Sequence, residues 1–467
     1  MYWHWSSSIS INRQSNWTLK IVVRARKLRI DVPLIDKIIG LLCWVTSETG
    51  IQGTLRETYE DFIVEEILPN GKPLDINAPV LEPSGYEGLF THFILIKKGI
   101  GNFEAFWILS KKLGVPISFF FYSGNKDKDA LTIQRAAVWG VPPEKLQSIE
   151  LPNELRILSP IRELRRIHIG DHKGNRFTIT IRRIPNEDAS KLDKILYEIE
   201  RLPIPNFFGY QRFGLVRPIT HIVGKLLLLR RYDEALTVYL TAPSLTDSED
   251  LLLVKELIRE KNYSEALKSM PQKGLLFEKV ILRNLIRYGT DYHRILKRLP
   301  PFLLRMLIEA YQGYIFNKML SRLLIENPSI IDRYEKTLLP LVGYKLKIPN
   351  DEVGRILKEI LDDENIKLNL FKNRHIPSLS SKGSLRPAFL HITFEEKSLE
   401  KTRNNTFNLR LRFSLGKGQY ATVVLREILK ENFLAAHFGD RFEKKKDQIL
   451  ANMKKLTNLI SEMNLLS

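Results

Sequence analysis

Two kinds of hydrophobic spacing divide the chain. Up to about residue 216 the apolar positions come mostly in short runs or alternate with polar ones, the mark of strands. Residues 54–67 (TLRETYEDFIVEEI) alternate at Phe62, Val64 and Glu66, and residues 90–97 (FTHFILIK) and 117–122 (ISFFFY) read as strands, the latter buried. In residues 176–184, Phe177, Ile179 and Ile181 alternate with Thr178, Thr180 and Arg182, and with residues 164–169 they predict a hairpin across Gly170–Gly174. Helical spacing appears at residues 103–113, where Asn102 is expected to cap and Phe103, Phe106, Trp107 and Leu113 to face the core. Residues 130–139 (ALTIQRAAVW), stopped by Gly140 and Pro142, and residues 188–202 are also expected to be helical.

From about Arg217 to Leu324 helical periodicity dominates, over residues 219–240, 249–270, 275–288 and 302–324. YDEALTVYL and YSEALKSM echo each other within it, but two copies fall short of the three that a repeat array needs. Residues 378–384 read as a mobile loop. LRLRFS (409–414) then returns to strand spacing, and Gly416 and Gly418 turn it into a helix beginning near Tyr420. A helical tail follows, with Leu456, Ile460 and Met463 on one face. The mixture predicts an α+β (mixed α/β) protein with a separate helix-rich segment.

At 467 residues the chain is long enough for two or three domains. Its 72 Lys and Arg outnumber 53 acidic residues, a net charge of +19 that asks for a polyanionic partner. Nucleic acid is the first candidate and an anionic membrane surface the second, and no apolar run approaches the roughly 18 residues of a spanning helix. The single cysteine, Cys43, excludes a disulfide framework and fits a reducing compartment. Residues 1–32 mix tryptophans with basic residues and lack the apolar core of a secretory signal. They read as a disordered tail or as sequence upstream of the true start, with a basic RNA-contacting arm as the alternative.

The candidate chemistry lies at residues 123–134, SGNKDKDALTIQ. Asp129, just before the expected helix, is placed as its N-cap. Asp127, two residues earlier between Lys126 and Lys128, has no capping duty and is the carboxylate available for attack. Glu60 and Asp61 are adjacent on an extended segment and so point to opposite faces, which argues against an acid pair. The nine histidines are scattered, and no metal site is expected.

The loop resembles the G-x-K-D-(K/R)-x-A-x-T-x-Q motif of the TruD family of tRNA pseudouridine synthases. Similar segments follow the family's order: EDFIVEEI (60–67), residues 97–114, GNRF (174–177), PNFFGYQRFG (205–214) and LGKGQYATVVLREIL (415–429). LLPLVGY (338–344) and RPAFLH (386–391) are also family-like. The resemblance implies a catalytic domain with a mainly antiparallel sheet, interrupted by a helix-rich insertion. Its boundaries fall at 1–38 (extension), 39–216 (catalytic, first part), 217–391 (insertion) and 392–467 (catalytic, second part).

By the same resemblance Asp127 is the nucleophile that attacks a uridine, at position 13 of tRNA, after the base has left its stack. Phe208 stacks on the base, Asn206 holds the aspartate or the base edge, and Gln211 and Arg212 serve the pocket or a phosphate. Lys126 is a weaker candidate for the carboxylate or a phosphate, and Arg426 is assigned as the cation that pairs with Asp127. Arg283, Arg287, Arg294, Lys297, Arg298 and Arg305 in the insertion are expected to meet tRNA backbone. Because the isomerisation gains and loses no atoms, neither cofactor nor metal is expected, and the protein reads as a cytoplasmic monomer. The rival reading is a basic RNA-binding or assembly factor without turnover.

Overall fold

The computed structural model describes residues 28–83, 85, 88–272, 274–331 and 337–463. The core is one nine-stranded sheet. Its first seven strands are β1 (Thr54–Leu55), β2 (Phe62–Ile67), β3 (Phe90–Lys98), β4 (Phe120–Tyr122), β5 (Leu131–Trp139), β6 (Leu155–Glu163) and β7 (Gly174–Ile184). After two short strands, β8 (Ile204–Pro205) and β9 (Leu338–Leu341), come β10 (Ser384–Pro387) and β11 (Phe389–Leu390). The chain re-enters the sheet with β12 (Phe394–Lys401) and β13 (Phe407–Gly416). The order is β12-β13-β7-β2-β5-β3-β6, with β1 beside β7 and β4 beside β5. Only β2 and β5 run parallel in it, Val64 opposite Thr132. An aromatic ladder crosses four neighbouring strands: Phe62 meets Phe177 edge-on at 6.2 Å, Phe177 stacks on Phe413 at 5.9 Å, and Phe413 meets Phe394 at 5.7 Å.

Several expectations are corrected. Residues 130–139 form β5, not a helix, because β5 is hydrogen-bonded on both edges, to β3 along one and to β2 and β4 along the other, and is buried on both faces. Asp129 therefore caps no helix and is exposed. The hairpin of residues 164–184 does not form: the strand before the turn is β6, at the far edge beside β3, while Leu164 and Ile169 are exposed. Only Phe120–Tyr122 of residues 117–122 is strand, after a short 3-10 turn. The helix Asn102–Leu113 is preceded by Gly101 in the cap position, so Asn102 is not its cap. It buries Phe106, Leu109 and Leu113 on the sheet and leaves Phe103 and Trp107 about half exposed.

The insertion is a stack of short helices against the 26-residue helix Pro301–Glu326. Gly224, on the helix Thr220–Leu228, lies so close to it that a Cβ would stand 2.1 Å from the Leu307 carbonyl. This insertion is fastened to the core: the Asn317 amide donates to the carbonyls of Ile39 and Phe208 at 3.0 Å each, and β11 pairs with β8. Residues 378–384 are not loose, since Leu379 is buried and Ser380 and Ser381 bond to Asn373 and Phe371. The helix Leu34–Ile38, expected within a loose extension, buries Ile35, Asp36 and Ile38. Residues 1–27 lie outside the described residues. Among the described residues no helix is long and apolar enough to cross a membrane.

Candidate active site

β4 delivers the chain into residues 123–129, and β5 takes it away between β2 and β3. Three buried groups hold this loop. The Lys97 ammonium, at the end of β3, donates to the main-chain carbonyls of Asp127 at 2.7 Å, Ile100 at 2.9 Å and Lys126 at 3.4 Å. The Glu66 carboxylate, on β2, accepts from Ser123 Oγ at 2.7 Å and Lys126 Nζ at 2.8 Å. The Asn102 side chain accepts from the Lys126 amide and donates to the Gly124 carbonyl, both at 3.4 Å. A buried ammonium is tolerated only with such partners, and burial still pushes Lys97 down to about 8.

The loop's backbone is fixed in this way, and the Asp127 side chain, 30% exposed, enters a cavity of about 470 Å³. Its ion partner is Arg56, whose Nη2 lies 3.1 Å from Oδ2. Arg56 follows β1 with φ of 58°, and its guanidinium lies 4.1 Å from the centre of the Phe62 ring. Phe62, Tyr210, Tyr239 and Phe433 give the cavity aromatic walls, and Gln211, Thr422 and His437 give it polar ones. Thr422 Oγ1 donates to Gln211 Oε1 at 2.6 Å. Burial, with Arg56 nearby, pushes His437 down to about 4, so a neutral imidazole faces the cavity at neutral pH. Such a cavity suits a flat, partly polar ligand of nucleobase size.

The residues singled out in the sequence do not all meet. Asp127 and Gln211 line the cavity together. Lys126 turns away from it into the buried pair with Glu66, and so is a strut of the loop. Arg426 does not pair with Asp127: its Nε donates to Asp36 Oδ2 at 2.6 Å and its Nη1 to the Cys43 carbonyl at 3.0 Å. Tyr210 also donates to Asp36, so Arg426 supports the cavity wall from behind. Asn206 and Phe208 are not among the lining residues. The Asn206 oxygen accepts from Arg386 at 2.7 Å, and the buried Phe208 ring lies between Arg386, 4.2 Å from its centre, and Gly313. Arg212 lies 5.3 Å from that ring and pairs with Glu309 at 3.1 Å.

Sequence reasoning missed Arg56, Lys97 and His437 as site residues. The one signal available was position: Arg56 precedes EDFIVEEI and Lys97 opens the 97–114 segment.

The model of the family tRNA pseudouridine synthase D (TruD) matches residues 38–335 and 329–428. Two archaeal relatives carry the name "Probable tRNA pseudouridine synthase D". That of Methanopyrus kandleri is 34% identical over 366 residues, 76% of this chain and 89% of its own. That of Methanococcus vannielii is 34% identical over 398 residues, 80% of this chain and 94% of its own. The crystal structure of a TruD from Methanosarcina mazei superposes with a TM-score of 0.63 at 30% identity, covering 86% of this chain and 99% of that one. With the family model spanning most of the chain, and with sheet, insertion and aspartate loop arranged as described, the chain belongs to the TruD family of tRNA pseudouridine synthases.

Proposed function

We propose that the protein isomerises a uridine of tRNA to pseudouridine, with Asp127 as the attacking group. The reaction breaks the bond between uracil N1 and ribose C1′, turns the base and rejoins C1′ to C5. A proton leaves C5, N1 gains one, and no atom is lost overall, so the chemistry calls for no cofactor. An aspartate suits the attack because its carboxylate is a nucleophile that needs no partner base.

The observation that carries this reading is the contrast within one loop. The Asp127 main chain is clamped by a buried ammonium, while its carboxylate enters a partly aromatic cavity and meets a single cation, Arg56. Pre-set geometry of this kind lowers the entropic cost of bringing carboxylate and C1′ together. Phe62 and Tyr210 back the cavity as buried aromatic walls, and Gln211 and His437 offer hydrogen bonds to the edge of an extruded base.

The test is to map pseudouridine on transcribed tRNA after incubation with the purified protein. Asp127→Asn is expected to abolish product while keeping RNA affinity within a few-fold. Product from Asp127→Asn at the wild-type rate would sink the assignment.

A further inference from the structure

The helices Leu276–Tyr288 and Tyr292–Arg298 of the insertion meet at a turn through Gly289. Three guanidinium groups gather there on one ring: Arg294, Arg298 and Arg287 lie 4.5, 5.1 and 5.3 Å from the centre of Tyr288. All three arginines are exposed, and so are Arg283, one turn before Arg287, and Lys297 beside Arg298. The Tyr288 hydroxyl is buried, so the tyrosine is rooted in the protein and its ring forms a floor under the three cations.

Several other cations of the insertion are neutralised within the chain. Arg231 pairs with Glu234, Arg259 with Glu256, Lys268 with Glu265, and Arg322 and Arg355 with Glu326 and Glu359. Among the described residues Arg283, Arg287, Arg294, Lys297 and Arg298 have no such carboxylate. Sharing one ring, the three guanidiniums stand within about 10 Å of one another, where like charges in water repel by roughly 0.4 kcal/mol per pair. The ring faces return about as much through cation–π attraction. A polyanion would turn that standing repulsion into attraction.

The patch is connected to the cavity. Arg217, in the cavity lining, pairs at 2.7 Å with Glu278 in the first turn of the helix that ends at Tyr288. Ten residues of helix separate the two ends, roughly 15 Å. At one phosphate per 3.4 Å of axial rise along a strand, that is about four nucleotide steps.

We propose that Arg287, Arg294 and Arg298, set around Tyr288, form a phosphate-binding site for the RNA backbone, engaging the substrate away from its reacting uridine. The choice of RNA as the source of the phosphates rests on the function proposed above. The site adds affinity and register, and it takes no part in bond breaking.

The test compares wild type with the triple variant R287A/R294A/R298A, using unmodified tRNA at several salt concentrations. Each guanidinium lost from a phosphate contact lowers the slope of log Kd against log salt by about 1. The triple variant is therefore expected to lose about 2 to 3 in slope and at least tenfold in affinity at low salt. Lys268→Ala, which removes a cation already paired, is expected to change neither. At saturating enzyme the single-turnover rate stays within twofold of wild type, and the triple lysine variant recovers most of the affinity. A short hairpin carrying only the target uridine narrows the gap between wild type and variant. An unchanged slope and affinity on full tRNA overturns the proposal, as does an equal loss on tRNA and hairpin. Because the slope is read from binding, it stands or falls separately from pseudouridine formation: a wild-type protein that binds tRNA but makes no product refutes the catalytic reading alone.

Discussion

The ammonium of Lys97 lies 2.7 Å from the main-chain carbonyl of Asp127, so one side chain sets the position of that residue without touching its carboxylate. Lys97 also bonds to Ile100 and Lys126, and its pKa is held near 8 by burial. Below that value three N–H donors serve three carbonyls. Above it two remain. Activity is expected to fall along an alkaline limb with a midpoint near 8. Stability moves the other way, because folding lowers this pKa from 10.5: between about 8 and 10.5 the unfolded chain holds the proton more tightly, and this group favours the fold as pH rises. A pH–rate profile with parallel melting curves separates the two. Lys97→Met is expected to lower kcat at least tenfold with little change in KM and to lack the limb; a retained limb refutes the assignment.

Arg56 and Asp127 form a partly exposed pair, which contributes at most about 1 kcal/mol to stability. Its importance is geometric. Arg56→Ala is expected to reduce kcat by about a hundredfold while moving the melting midpoint by no more than a few degrees. Arg56→Lys recovers part of the rate. If activity and stability fall in step, Arg56 is a fold residue and not a positioning one.

Asp129 offers the matching control. Exposed and leading into a strand, it supports no helix end. Asp129→Ala is expected to change stability by less than about 0.5 kcal/mol, measured by urea unfolding, as for an exposed side chain at the cavity rim that caps no helix. A cost near 2 kcal/mol would revive the capping role.

The Glu66–Lys126 pair is buried on both sides, and removing one partner leaves a charge without its counterion. Lys126→Met is expected to cost roughly 3 to 5 kcal/mol in the same assay, and Lys126→Met with Glu66→Gln clearly less than the single change. Equal costs for the single and double variants would contradict this.

Acid should weaken the protein through its buried histidines. Burial pushes both His221 and His437 down from 6.5 to about 4. Between these values the unfolded chain binds protons that the folded one refuses, so stability falls as pH drops from 6.5 toward 4. For the fully buried His221 the slope approaches about 1.4 kcal/mol per pH unit. Urea midpoints across this range are expected to fall less steeply in His437→Gln than in wild type.

How much of this could be read from the sequence depended on distance along the chain. β2, β3 and β7 showed themselves through local apolar spacing, and Asp127 through the pattern of its neighbours. β5 did not, because a strand buried on both faces loses the alternation that separates strand from helix, and Gly140 and Pro142 end either. The partners of Asp127 were also hidden: Arg56 is 71 residues away and Lys97 30, and a single sequence carries no record of such meetings. Arg426 was misassigned for the same reason, its true partner Asp36 lying 390 residues off. Phe103 and Trp107 share helical spacing with Phe106, but spacing alone does not say which side of a helix the sheet will cover.

The bond between Asp36 and Arg426 sets an order on the making of the molecule. A ribosome releases the first of these residues long before the second, and at roughly 5 to 20 residues per second the delay is about 20 to 80 s. Throughout it Asp36 lacks the arginine that neutralises it, and Tyr210, on the wall beside the Asp127 loop, lacks part of its backing. The growing chain can fold its central strands and its helical insertion, yet it cannot finish the pocket until its closing helix arrives. A messenger truncated shortly before Arg426 would therefore yield a nearly full-length polypeptide with the Asp127 loop present and no firm chamber around it.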